Sequence, residues 1–185
     1  MAKTINKQRG LTLVELMITI AIAAILMTIG APGISSMLQQ NRIIADINNL
    51  SAVARAARFS AVDEGSNVVL CPTKDYNSCT GSWQEGKMAF IDSNSNGNRE
   101  NGEAMIAAVD QVSGTSTVSG ISGTLTFRPD GSISNQAAIV VCPTSGDAKQ
   151  ASALILSLFG RIAVAVDSND DGIKENAAGA NISCS

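Results

Sequence analysis

The chain has 185 residues, 45% of them hydrophobic but only 3% aromatic, and a formal charge of −3. It contains no histidine, which excludes Ser-His-Asp and Cys-His catalysis and imidazole-bound zinc; the acidic balance argues against generic nucleic-acid binding, which needs clustered Lys and Arg. Once an N-terminal segment is set aside, about 120 residues remain, enough for one globular domain and no second.

The N-terminus begins with a short basic stretch, Lys3, Lys7 and Arg9, that ends at Gly10 and holds no acid. Removing it would take the formal charge from −3 to −6. Leu11 to Gly30 follows as an apolar run broken by one acid, Glu15. As a helix this run is about 30 Å long, the thickness of a hydrocarbon core. The cations on its N-terminal side would hold that end in the cytoplasm, which places the rest of the chain in the periplasm or outside the cell. An acid inside an apolar span is costly and usually marks function, although near a helix N-terminus the helix dipole offsets part of the cost.

The order of these parts resembles the type IV prepilin signature: basic leader, Gly at the cut, a retained apolar stretch, and Glu as the fifth residue of the mature chain. The resemblance implies cleavage after Gly10 by a prepilin peptidase and methylation of Leu11. It also implies that Glu15 neutralises the N-terminal amine of a neighbouring subunit during assembly. Leu11 stands where the commoner residue is Phe. Pro32, beside Gly30 and Gly33, corresponds to a proline that such pilins share, and it predicts a local bend or melting of the helix. The expected organisation is a leader at 1–10, an N-terminal helix at 11–62 that crosses the inner membrane once at 11–31, and a periplasmic β-rich head at 63–185.

From Ile34 to Val62 the pattern is helical. Ile34, Met37, Leu38, Ile44, Ile47, Leu50, Ala54 and Ala57 recur at steps of three and four, and this stripe is expected to pack on a sheet. Asp63-Glu64-Gly65-Ser66 ends the helix.

The texture then changes to short β-type runs separated by turns. Strands are expected at Asn67–Cys71, Lys87–Ile91, Ala104–Val109, Thr115–Val118, Thr124–Arg128, Ala138–Cys142, Leu154–Phe159 and Ile162–Val166. Pro129-Asp130-Gly131 and Phe159-Gly160-Arg161 read as turns. A long helix followed by antiparallel strands gives an α+β fold: a transmembrane and amphipathic helix packed on a β-sheet head. Two internal echoes occur. VVLCPTKD at 68–75 resembles IVVCPTSGD at 139–147, and GKMAFIDSNSNGNREN at 86–101 resembles GRIAVAVDSNDDGIKEN at 160–176.

The four cysteines, Cys71, Cys79, Cys142 and Cys184, all lie beyond the apolar run. An even count in an exported domain favours two disulfides. Cys71 and Cys79 bracket a natural short loop, which leaves Cys142 for Cys184. A four-thiolate zinc site is the alternative, disfavoured because there is no CxxC.

The succession ARFSAVDEG, VVLC, SWQEGKMAFIDSNSNGNRENGE, LTFRPDGSI, IVVCPTSGD and LFGRIAV, closed by a late Cys, resembles the GspH/FimT family of minor pilins and pseudopilins over nearly the whole mature chain. That resemblance implies the pilin fold and no enzymatic activity. It implies a place at or near the tip of a type IV pilus, where the subunit helps start the filament by packing its helix against other pilins. The alternatives are an H-type pseudopilin of a type II secretion system and a DNA-binding minor pilin for natural transformation.

Two further constellations bear on ligands. Asp92-x-Asn94-x-Asn96-Gly97-x5-Glu103 fits a calcium-loop pattern, with oxygens at alternate positions, a glycine at the sharp turn and a closing carboxylate. The flanking sequence is β-type, however, and an ordinary long turn uses the same residues, so the leading expectation is no cofactor, with calcium as the alternative. Asp167-x-Asn169-x-Asp171-Gly172 opens in the same way but has Ala178 at the closing position. Gly160-Arg161 resembles the start of a Gly-Arg-x-Arg element found in DNA-binding members of the family; here Ala163 replaces the second Arg and the following segment is acidic. Arg161 with Lys174 or Lys149 is the candidate phosphate contact, and DNA is the disfavoured partner. Trp83 is expected to pack on the Cys71–Cys79 side.

Overall fold

The computed structural model of the chain describes residues 10–184, with positions 29–32 described by backbone alone. The basic residues expected to form a leader, 1–9, lie outside the described residues.

One helix, α1, spans Leu13–Glu64. It starts two residues later than expected because Thr12 caps it. The Glu15 backbone N–H donates to the Thr12 hydroxyl (3.2 Å), and the Thr12 N–H donates to the Glu15 carboxylate (3.3 Å). This reciprocal pair is a capping box, which satisfies two of the amides that a helix start leaves free. The backbone stays helical through Pro32, so the melting allowed by the sequence is not seen there. At the other end Gly65 adopts φ +61° and stops the helix in the left-handed conformation that glycine tolerates.

The described residues form two compact units that divide between Leu38 and Gln39. In the first, the apolar side chains described on α1, among them Leu13, Leu16, Ile20, Ile25 and Met37, are exposed. By length and composition this part of α1 can cross a membrane.

The second unit holds the rest of α1 and eight strands: β1 Asn67–Thr73, β2 Gly86–Asp92, β3 Met105–Val109, β4 Ser116–Ser119, β5 Leu125–Phe127, β6 Ala137–Pro143, β7 Ser152–Leu156 and β8 Ile162–Val164. They form two four-stranded sheets, ordered β3-β2-β1-β5 and β4-β6-β7-β8. Every pairing between these strands is antiparallel.

Ile43, Ile47, Leu50, Ala54, Ala57 and Ala61 of α1 are buried in one cluster with Val68, Leu70, Leu125 and Phe127 of the first sheet and Ile139, Val141, Leu154 and Leu156 of the second. The stripe therefore advances 43, 47, 50, 54, 57, 61, alternating four and three. Ile43 is 0% exposed and Ile44 is 47% exposed. Ile44, expected in the stripe, is one residue out of phase, about 100° round the helix. The three alanines let the backbone of α1 approach the strands closely.

Strand alternation sends Val69 and Cys71 to the opposite face of the first sheet, where they pack with Met88 and Phe90 under the loop closed by Cys71–Cys79. A third cluster, Cys142, Ala151, Ala153, Ala165 and Ile182, is closed by Cys142–Cys184. All four cysteines are thus in disulfides. Trp83 is a packing residue, but it joins the α1 core rather than the Cys71 cluster, and its indole N–H donates to the Gly123 carbonyl (3.0 Å). The echoed segments do not share a pairing scheme, because β2 pairs with β1 whereas β8 pairs with β7 and not with β6.

Candidate functional site

Three groups of side chains outside the core carry the chemistry suggested by the sequence. The first is the start of α1. Gly10 and Leu11 are exposed there, and the Glu15 carboxylate also accepts from the Thr12 hydroxyl (3.3 Å). Glu15 is therefore held by its own helix end, while the apolar side chains that follow it on α1 have no cover. Pro32 contributes only its helical backbone to the description.

The second is the loop after β2. The structure brings Asp92, Asn94, Asn96 and Glu103 into one turn, but its own amides close that turn. Asp92 accepts N–H bonds from Asn96 (3.0 Å) and Gly97 (2.9 Å), one on each oxygen. Glu103 does the same for Ser93 and Glu100, both at 3.0 Å. The amide oxygens of Asn94 and Asn96 accept from Asn96 and Asn98. Among the described residues no group of three or more His, Cys, Asp or Glu is set to hold a metal ion. The residue set fits calcium by type, and both oxygens of Asp92 and of Glu103 accept backbone amides of the loop.

The loop after β8 repeats this backbone. Ser95 and Asp170 share φ 60°, and Gly97 and Gly172 follow in the same left-handed region. Asp167 accepts the Gly172 N–H (2.8 Å). Glu175 accepts the Ser168 N–H (2.8 Å), as Glu103 does for Ser93. The closing carboxylate in this loop is therefore Glu175, three residues before Ala178. Counting only to the twelfth position hides it, and aligning GNREN with GIKEN sets Glu175 opposite Glu100 rather than Glu103, because the second loop closes three residues earlier.

The third group surrounds Arg161. It does not meet Lys174, whose ammonium donates to the Ala151 carbonyl (2.9 Å), nor Lys149, which lies beside Gly172. Arg161 instead shares a surface depression of about 510 Å³ with Arg55, Arg58 and Phe59 of α1 and with Asp130. Arg58 donates to the Gly131 carbonyl (3.0 Å), and Arg55 donates to Ser51 (3.0 Å). The backbone of Arg161 is tied to Ser157: its N–H donates to the Ser157 hydroxyl (3.2 Å) and its carbonyl accepts the Ser157 N–H (3.0 Å). Phe59 is 70% exposed and Phe159, next to Gly160, is 88% exposed. Sequence reasoning missed Arg55 and Arg58 because they lie about a hundred positions from Arg161.

The sequence profile of the Type II transport protein GspH family matches residues 46–160. The prokaryotic N-terminal methylation motif matches residues 5–31. No curated protein matches the chain in sequence. Among solved structures, a crystal form of the type IV minor pilin FimU from Pseudomonas aeruginosa PAO1 superposes with TM-score 0.57 at 20% identity, covering 80% of this chain and 99% of FimU. A second crystal form of FimU gives 0.51 at 21% identity, covering 65% and 90%. The minor pseudopilin EpsH of Vibrio cholerae gives 0.49 at 8% identity, covering 66% and 95%. The FimU matches establish the pilin fold, and the profile match, which spans more than half of the chain, establishes the family: the chain belongs to the GspH family, minor pilins and pseudopilins of the type IV pilin superfamily.

Proposed function

We propose that the protein is a minor pilin that sits at or near the tip of a type IV pilus and helps initiate filament assembly. The observation that carries this reading is the uncovered apolar surface of α1 directly after Glu15. A membrane covers such a surface first, and the helices of other pilins cover it after extraction. In this reading a prepilin peptidase cleaves after Gly10, Leu11 is methylated, and Glu15 leaves Thr12 to neutralise a neighbour's N-terminal amine. The head stays in the periplasm on a single inner-membrane span until it is assembled. The subunit is structural and not an enzyme, and it needs no bound cofactor.

The test is the intact mass of protein purified from membranes of cells with and without the peptidase. Loss of residues 1–10 and gain of one methyl, dependent on the peptidase, supports the reading; an uncut chain, or a cut after the apolar run, overturns it. The H-type pseudopilin alternative predicts that deletion abolishes type II secretion and leaves pilus number unchanged.

The surface of Arg55, Arg58, Arg161, Phe59 and Phe159 favours a second reading, contact with DNA. Cations track phosphates, and aromatic faces stack on bases. If so, Arg55→Ala with Arg161→Ala weakens single-stranded DNA binding about tenfold at low salt and lowers its salt slope by about 2. Unchanged binding would discard this reading.

A further inference from the structure

Lys87 is the second residue of β2, opposite Val109 of β3. It is 0% exposed, and its ammonium has no hydrogen-bond partner among the described residues. A buried, unpaired ammonium is among the costliest groups a small domain can carry. Lys87 lines a cavity of about 420 Å³, within the range of small-molecule sites. Asp46 and Asn49 of α1 line it as well, with Tyr76, Asp110 and Gln111. A second depression of about 510 Å³ shares Tyr76, Asp110 and Gln111 with it.

The charged groups of the cavity are set apart rather than paired with one another. The one ion pair among the described residues is Lys74–Glu85, so no direct contact joins Lys87 to Asp46. Asp46 accepts only a long bond from the Ser113 N–H (3.4 Å), and Asp110 accepts one from the Tyr76 hydroxyl (2.9 Å). Lys87 keeps three donors to place, and the two carboxylates keep acceptor sites. An anion entering here would meet Asp46 and Asp110, and a cation would meet Lys87. The group that suits both is uncharged and donates and accepts at the same atom, which describes a hydroxyl. Several hydroxyls on one rigid frame could bridge the ammonium to both carboxylates through charge-assisted bonds.

We propose that this cavity binds a neutral saccharide, with one sugar ring over Lys87, its hydroxyls bridging Lys87 to Asp46 and Asp110, and a second ring in the adjoining depression. The site is separate from the Arg161 surface and does not depend on the filament role.

The test is saturation-transfer NMR on the full chain in a detergent without a sugar headgroup. Glucose, N-acetylglucosamine and their disaccharides are the probes, with glycine and inorganic phosphate as contrasts. At least one neutral sugar gives saturable transfer, disaccharides bind more tightly than monosaccharides, and glycine and phosphate give none. Lys87→Met, which keeps the side-chain volume, and Asp110→Asn each weaken binding about tenfold or more, whereas Lys149→Met leaves it unchanged. Intact disulfides and an unchanged thermal midpoint certify each fold, and Asp110→Asn, at an exposed position, decides the matter if Lys87→Met fails to fold. Absence of transfer from every sugar overturns the proposal. So does transfer that both cavity variants leave intact, or displacement of the sugar by glycine or phosphate.

Discussion

At the residue scale, the most informative side chains break a local rule. Lys87 occupies a strand position whose neighbours are all apolar. Burial lowers its pKa from 10.5 to about 8, against the pull of Asp46; burial in turn raises the carboxyl of Asp46. The direction of the pH effect follows. Below pH 8 both folded and unfolded chains hold the proton, and the folded state bears the full cost of the buried charge. Between about 8 and 10.5 the unfolded chain holds more protons than the folded one, so stability rises with pH. Between pH 7 and 9.5 this amounts to about 2 kcal/mol. The difference between wild type and Lys87→Met isolates it from the other groups facing the cavity, Tyr76 and Asp110. Urea midpoints that move in parallel for the two proteins would refute this account. Gly160 is the second such position. It has φ +74°, and a Cβ there would strike the Gly131 carbonyl and the Arg58 side chain. Gly160→Ala should therefore cost about 2–4 kcal/mol in urea unfolding, and a loss under 1 kcal/mol would show that the turn relaxes.

At the element scale, the capping box separates two roles of Glu15. Gln supports a capping box as Glu does, so Glu15→Gln should keep the start of α1 yet fail to enter sheared filaments, while Thr12→Ala frays the helix by about 1 kcal/mol. Normal incorporation of Glu15→Gln would show that its charge is dispensable. The loop Asp92–Glu103 is closed by amides, so millimolar calcium or a chelator should move the thermal midpoint by less than about 1 °C. A calcium-dependent rise of several degrees would reinstate the ion. The two disulfides close chains of different length, with separations of 8 and 42 residues. Chain entropy then predicts a loss of about 2.5 kcal/mol for Cys71/Cys79→Ser and about 4 kcal/mol for Cys142/Cys184→Ser.

For the whole molecule, the division at Leu38 separates the exposed apolar part of α1 from a head that holds the buried clusters of the described residues. A chain beginning at Gln39 should therefore be soluble, form both disulfides and melt cooperatively. Aggregation of that fragment, with scrambled cysteines, would show that the apolar part of α1 contributes to the head.

The sequence by itself determined what depends on neighbours along the chain. The apolar run after Gly10, the approximate span of α1 and the eight strands were all legible, because a helical stripe, strand alternation and turn residues are local signals. So was the pairing of four cysteines, once the short loop claimed two of them. Only the tertiary structure decided what depends on residues far apart in sequence. It set the division of the strands into two sheets, since antiparallel runs of similar composition can pair in many orders. It chose Ile43 over its neighbour Ile44, because one residue of phase, about 100° round the helix, decides which side chain meets the strands. It placed Arg161 beside Arg55 and Arg58 rather than Lys174, and it left Lys87 inside a cavity that nothing in GKMAFID announces. Periodicity specifies which face of an element is buried; which charged groups then meet across that burial is fixed only when the elements pack.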